Sequence, residues 1–309
     1  MKIITMRGKM KNNNKFYIYS KLPTEKINKY TFDIDRISLK EVLKKINDED
    51  GKVPEAVRKK ISNIADGAKI ISEAFLKNKK IYFIGAGTSG RMGVLEAAEL
   101  PPTYGVSPEQ FVAIMCGGND AVFKAKEGAE DVYEDGFKII KKLGNKNDVL
   151  IAIAASGITP YVRGAIDSAK KVGMKSIFVT CNPREKKSVD VLIALDVGPE
   201  AINGSTRMKS GTATKLVLNM LTTAAMVISG KVYHNWMVDV KTTSYKLVLR
   251  AERVFCEITG LDLKTAKKFL KATDYNVKTA VVMALKNLKK EDAEKLIKEH
   301  NGFLKDILG

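Results

Sequence analysis

Three stretches of the chain gather the residue types that grip an anion. Gly85-Ala86-Gly87-Thr88-Ser89-Gly90-Arg91 and Ala155-Ser156-Gly157-Ile158-Thr159-Pro160 each follow a short apolar run. Gly204-Ser205-Thr206-Arg207-Met208-Lys209 precedes a long apolar stretch. Glycine lets the main chain turn tightly and approach a ligand closely. Hydroxyls beside a helix start add donors to N–H groups that have no partner within the helix. Gly87, Thr88, Ser89, Ser156, Gly157, Thr159, Ser205 and Thr206 are therefore the candidate phosphate-binding residues, and Arg207 and Lys209 bring two cations to the third loop. The first loop is neither a dinucleotide fingerprint nor a nucleotide P-loop. No acidic residue ends the next apolar run, which closes Cys116-Gly117-Gly118-Asn119, and no GK[ST] follows. Each loop taken alone also fits an ordinary capped helix start.

Acid–base chemistry on a sugar phosphate needs carboxyl groups near these loops. Glu96 and Glu99 lie three apart on one expected helix and share a face. Leu100-Pro101-Pro102 is expected to stop that helix, which puts Glu99 in its last turn, where the dipole disfavours a carboxylate charge. Glu127, Glu130, Asp131 and Glu134 fall on the next expected helix. Four acids there read first as a solvated face, although Gly128 and Ala129 leave room for close approach at Glu130. Ser89 and Ser156 have no evident histidine partner and are not read as nucleophiles.

The elements that must position these groups follow from the apolar patterning. Residues 38–48 open with a Ser38/Glu41 capping-box pattern and carry an apolar stripe of Leu39, Val42, Leu43 and Ile46. Residues 53–77 predict one longer helix with Pro54 in its first turn. Continuously apolar strands are expected at 81–85, 111–116, 149–156, 176–181 and 191–196, and helices at 90–99, 120–142, 160–172 and 207–229. Such alternation predicts an α/β fold, a parallel sheet covered on both faces, with ligands at the carboxyl ends of the strands. After Gly230 come a helix at 240–258 and three short ones, a small C-terminal helical module. The expected organisation is a poorly ordered extension at 1–21, an N-terminal helical segment at 22–77 packing on the core, the α/β core at 78–240, and the helical module at 241–309.

Composition narrows the function classes. Of 309 residues 45% are hydrophobic, enough for a substantial core. Three separated cysteines and two histidines argue against a disulfide scaffold or a zinc site and fit a reducing, cytoplasmic compartment. His234 and Trp236 read as packing or interface residues and His300 as a surface or helix-end residue. No apolar run reaches the roughly 20 residues of a membrane span. The net charge of +18 is spread as lysine at helix-surface spacing, with no zinc finger or stacking aromatic set beside it. It reads as a solvated surface that attracts an anionic metabolite, not as a nucleic-acid interface.

The loops resemble the SIS sugar isomerase domain, and the longer motifs resemble the N-acetylmuramic acid 6-phosphate etherases. The matching text includes Ile46–Asp50, GAGTSGRMGVLEAAELPPTYGV at 85–106, EGAED at 127–131, IAASGITPYV at 153–162, CNP at 181–183, NGSTRMKSGTATKLVLNMLTTAAM at 203–226, GKVYHNWMVDV at 230–240 and KTAVVMALKNL at 278–288. The likeness starts near Leu22 and covers nearly all that follows. It implies a SIS-type three-layer α/β/α sandwich with a five-stranded parallel sheet. It implies a C–O lyase that converts N-acetylmuramic acid 6-phosphate to N-acetylglucosamine 6-phosphate and D-lactate in amino-sugar metabolism and peptidoglycan recycling. It also implies a homodimer with the site near the subunit interface, no metal and no redox cofactor. The family's catalytic glutamates fall on Glu99 and Glu130. Three positions depart from the family pattern: Asn119 replaces a usual acid, Ile158 replaces a common arginine, and Ala98 stands where serine is common. Lys186 and Lys187 are candidates to compensate for the missing arginine. An amino-sugar phosphate isomerase and a non-catalytic sugar-phosphate regulator are the alternatives on the same scaffold.

Overall fold

The computed structural model describes Tyr17 and residues 19–309. The remaining residues of the expected N-terminal extension, 1–16 and 18, lie outside the described residues. Five parallel strands carry the fold: β1 (Ile81–Gly85), β2 (Phe111–Met115), β3 (Val149–Ile153), β4 (Lys175–Thr180) and β5 (Val191–Ala194), in the order β2-β1-β3-β4-β5. β1 is central to the site because it pairs with both β2 and β3. This aligns Gly85 with Met115 on one side and with Ile153 on the other. The loops after β1 and β3 therefore leave the sheet side by side.

Strand residues alternate between two apolar layers, which explains their unbroken hydrophobic runs. Ile81, Phe83, Ile151, Ile153 and Ile177 pack on one face with α2 (Val53–Arg58), α3 (Ile61–Leu76), α4 (Gly87–Tyr104) and α7 (Lys209–Val227). Tyr82, Ile84, Leu150, Ala152 and Phe178 pack on the other with α5 (Tyr133–Leu143) and α6 (Pro160–Val172). A separate cluster around Phe255, Leu270 and Val281 joins α8 (Tyr245–Thr259), α9 (Leu263–Ala272), α10 (Val277–Lys286), α11 (Lys290–Glu299) and α12 (Lys305–Leu308). The α/β/α sandwich with a C-terminal helical module is thus the fold. Among the described residues no helix is long and apolar enough to cross a membrane.

Four expected elements differ. The 53–77 helix breaks at Lys59-Lys60 into α2 and α3. The helix after β1 does not stop at the prolines: α4 runs through Pro101 and Pro102 to Tyr104 and ends on Gly105 at φ 65°. Proline lacks an N–H but accepts a helical φ, so near a helix end it removes bonds without ending the coil. The 120–142 helix is also not continuous. Short 3-10 turns at Asn119–Val122 and Ala129–Asp131 precede α5, and Gly128 sits at φ 78°, a conformation that interrupts an α-helix. The C-terminal part holds four helices after Gly260, not three.

At the N-terminal side, α1 (Leu39–Asp50) has the full Ser38/Glu41 capping box. Among the described residues its apolar stripe is only partly covered, with Leu39 and Leu43 exposed and Val42 and Ile46 half-buried. Its one fully buried residue is Glu49, which pairs with buried Lys209 at the start of α7.

Candidate active site

Two cavities meet at the carboxyl end of β1, one reaching toward β3 and the other toward β2. The larger, about 230 Å³, is lined by Gly87, Thr88 and Ser89 from the first loop, Ser156 and Thr159 from the second, Gly204 and Thr206 from the third, and Glu130. Its outer wall comes from Tyr19, Thr24 and Glu25. Six of the eight expected phosphate-binding residues therefore come together: Gly87, Thr88, Ser89, Ser156, Thr159 and Thr206. Ser205 and Gly157 do not line the cavity. Gly157 lies behind the loop at φ 78°, and a Cβ there would come 2.7 Å from a Glu185 carboxylate oxygen.

The first loop is shaped by close glycine packing. A Cβ on Gly90 would lie 2.4 Å from Met115 Sδ and 2.5 Å from the Gly85 carbonyl oxygen. Gly87, in contrast, faces open space at φ 54°. Among the described residues no side chain caps the N-terminus of α4 or of α6. Their first N–H groups remain available to an anion. The third helix start is different. The Glu200 carboxylate accepts from the main-chain N–H groups of Lys209 and Ser210, both at 2.9 Å. The third loop therefore contributes Thr206 but no free helix end. Its two expected cations are also absent from the cavity, because Lys209 turns inward to Glu49 and exposed Arg207 does not reach the lining.

The second loop is braced from behind. Asn182 Nδ2 donates to the Ser156 carbonyl at 3.1 Å, Thr180 Oγ1 to the Ala155 carbonyl at 3.2 Å, and Arg163 Nε to the Gly157 carbonyl at 3.0 Å. Arg163 Nη2 also donates to Glu185 at 2.6 Å. With its carbonyls held on the far side, the loop sets Ser156 and Thr159 in the cavity lining. Lys187 does not replace an arginine at position 158: its ammonium lies 2.6 Å from Asp167, and neither it nor Lys186 lines the cavity. No lysine or arginine lines this cavity among the described residues.

Of the expected catalytic carboxylates, Glu130 is the one the geometry brings to the loops; Glu25 in the outer wall is a second carboxylate in the lining. The Glu130 side chain is exposed, but partial desolvation raises its pKa above the usual glutamate value, and the charges of Asp131 and Glu127 add to the effect. A carboxyl group tuned upward binds and releases a proton nearer neutrality. Glu99 is not brought to the same cavity. It is exposed on α4, twelve residues beyond Gly87, or about 18 Å along the helix. Leu95 on the same helix and Met220 on α7 are exposed too, so Glu99 belongs to an outward face of the sandwich. Glu96, its companion in the sequence, is buried and committed to Lys215 and Thr222.

The second cavity, about 130 Å³, shares Ala86, Gly87 and Glu130 with the first. Arg91, Met115, Cys116, Ala121, Ala125, Lys126, Glu127 and Gly128 complete it. Nothing in the residue pattern pointed to Tyr19, Thr24 and Glu25 as site residues. They reach the cavity through the long-range bond from Gly204 N–H to the Thr24 carbonyl at 3.1 Å and from Asn203 Nδ2 to the Glu25 carbonyl at 3.1 Å.

Comparison with known proteins defines the lineage. The glucokinase regulatory protein N-terminal SIS domain matches residues 63–170, and a UBA-like domain matches residues 254–285. An N-acetylmuramic acid 6-phosphate etherase of Clostridium botulinum (strain Langeland) is 49% identical over 291 residues, covering 93% of this chain and 96% of the relative. The chain belongs to the N-acetylmuramic acid 6-phosphate etherase family. The etherase of Salinibacter ruber is also 49% identical, over 93% of this chain and 94% of its own. Among solved structures, phosphoheptose isomerases of Neisseria gonorrhoeae and Francisella tularensis share 20% and 19% identity with this etherase-family chain. They cover 61% of it and 98% of their own length, with TM-scores of 0.46 and 0.45.

Proposed function

We propose that the chain cleaves the D-lactyl ether of N-acetylmuramic acid 6-phosphate, giving N-acetylglucosamine 6-phosphate and D-lactate. The observation that carries this reading is the meeting of Glu130 with hydroxyl-lined loops and two uncapped helix starts in one cavity. The phosphate is held by Thr88, Ser89, Ser156, Thr159 and Thr206, and by the free N–H groups at the starts of α4 and α6. Anchoring at that end sets the reacting carbons against the carboxylate.

In the open-chain form of the substrate C1 is an aldehyde, so the C2 proton is acidic. Glu130 takes that proton and the electron pair delocalises toward the C1 oxygen. The C3–O bond then breaks, and an acid protonates the departing ether oxygen to give D-lactate. Water adds at C3 of the resulting unsaturated aldehyde, and a proton returns to C2. Glu99 is the acid and, in the reverse sense, the base for water addition. Its exposure on the outward face of α4 supports a homodimer in which Glu99 of one protomer serves the cavity of its partner. Exposed Leu95, one turn before it on α4, and exposed Met220 on α7 offer apolar surface that fits such a contact. The reaction is assigned to the cytoplasm, as a step of peptidoglycan recycling.

Coupled detection of D-lactate from N-acetylmuramic acid 6-phosphate tests the reading. Wild type is expected to release lactate, and Glu130→Gln to lose about 10²–10⁴-fold in turnover. An isomerase or a sugar-phosphate sensor releases none. Full turnover in Glu130→Gln would remove the assigned base.

A further inference from the structure

The substrate of the proposed reaction carries two anionic groups, a phosphate at C6 and a carboxylate on the lactyl arm at C3. The two cavities differ in a way that matches them. Among the described residues the larger has hydroxyls and helix starts but no cationic side chain, and the smaller has two, Arg91 and Lys126. Glu130 stands in the lining of both. If Glu130 takes the C2 proton, the neighbouring C3 substituent lies within reach of the second cavity.

We propose that this second cavity binds the lactyl carboxylate, with Arg91 and Lys126 as its specificity-determining residues. Arg91 is fixed for the task. Its Nε donates to the Val122 carbonyl at 2.7 Å and its Nη2 to the Ala121 carbonyl at 2.9 Å. Two of five guanidinium N–H groups are used, which leaves three for a ligand. Among the described residues no carboxylate lies within ion-pair distance of Arg91. The turn it holds begins at neutral Asn119, where the family resemblance expects an acid. Lys126 is anchored by one bond to the Gly117 carbonyl at 2.8 Å, with Asp120 at a loose 3.8 Å. Ala86, Met115, Ala121 and Ala125 supply the apolar wall that a lactyl methyl group requires. Glu127 and Glu130 in the same lining both oppose an anion, so the two cations must outweigh them. A charged group bound by a guanidinium and an ammonium forms charge-assisted hydrogen bonds, the stronger class.

The inference rests on the proposed etherase reaction, and its test separates the two. N-Acetylmuramic acid 6-phosphate is compared with its lactyl carboxamide, which keeps the shape and the phosphate but removes the carboxylate charge. Formation of N-acetylglucosamine 6-phosphate is followed for wild type, Arg91→Gln and Lys126→Met. Wild type is expected to prefer the acid by about 10–100-fold in kcat/KM. Each variant is expected to lower that preference tenfold or more, chiefly through KM for the acid. Lys126 is exposed, so its variant keeps the test open if Arg91→Gln disturbs the turn it holds. A preference unchanged in both variants overturns the subsite. An equal loss on acid and amide overturns it too, because the cations then serve the phosphate or the fold. Wild type that turns over neither compound removes the reaction itself, and the subsite with it.

Discussion

Removal of Glu49 should destabilise the sandwich at the very element that carries the third loop. Its partner Lys209 has a side chain only 1% exposed, and Glu49 itself only 2%. In Glu49→Leu the Lys209 ammonium keeps its burial and loses its counter-charge. Breaking a buried pair from one side costs about 3–5 kcal/mol. At about 2–4 °C per kcal/mol this is a fall in Tm of roughly 6–20 °C, toward the lower end for a chain of this length. The double variant Glu49→Leu/Lys209→Met removes both charges and should recover most of the loss. Differential scanning calorimetry on the three proteins measures both effects. A single variant within 1 °C of wild type, or a double variant no better than the single, would refute the reasoning. The same pair has a pH signature. Burial raises the Glu49 pKa, but hydrogen bonds from Lys209 and Lys52 outweigh it and leave the carboxyl below the usual glutamate value. Its stabilising contribution is therefore full above the unfolded value near ~4.3 and is lost as pH falls through the depressed folded one. Glu49→Leu should lack that part of the acid-side loss.

Other consequences follow from the site. Because partial desolvation first, and then Asp131 and Glu127, raise the Glu130 pKa, the acid limb of kcat/KM should lie above the ordinary glutamate value. Asp131→Asn should move it to lower pH, and an unmoved limb would detach that limb from Glu130. Gly90→Ala should cost at least about 1–3 kcal/mol and depress turnover by displacing the first loop, since the added methyl meets Met115 Sδ and the Gly85 carbonyl; thermal melts and lactate release report both. If Glu99 acts across a dimer, inactive Glu99→Ala and Glu130→Ala proteins should regain about a quarter of wild-type activity when unfolded and refolded together as equal mixtures. No recovery in verified heterodimers would return Glu99 to a role within its own chain.

The strands and the hydroxyl-rich loops were legible because their signals are local: unbroken apolar runs, then Gly, Ser and Thr beside a helix start. Three features were not, each for a physical reason. Glu130 looked like one acid among four on a solvated helix, because nothing local announced that Gly128 would take a left-handed turn and break that helix. Lys209 looked like a site cation, because its burial depends on Glu49, 160 residues earlier. The outer wall of Thr24 and Glu25 depends on contacts with the 203–206 loop, which no spacing rule in either segment encodes. Glu99 was singled out by its expected helix-end position as well as by family resemblance, but α4 continues past it to Tyr104 and a single chain leaves it on the surface.

The most direct measurement is the reaction run in deuterated water, with the product examined by proton NMR. The account predicts N-acetylglucosamine 6-phosphate labelled with deuterium at C2 and one D-lactate for each product formed. A product that keeps its original C2 proton would contradict removal of that proton by Glu130.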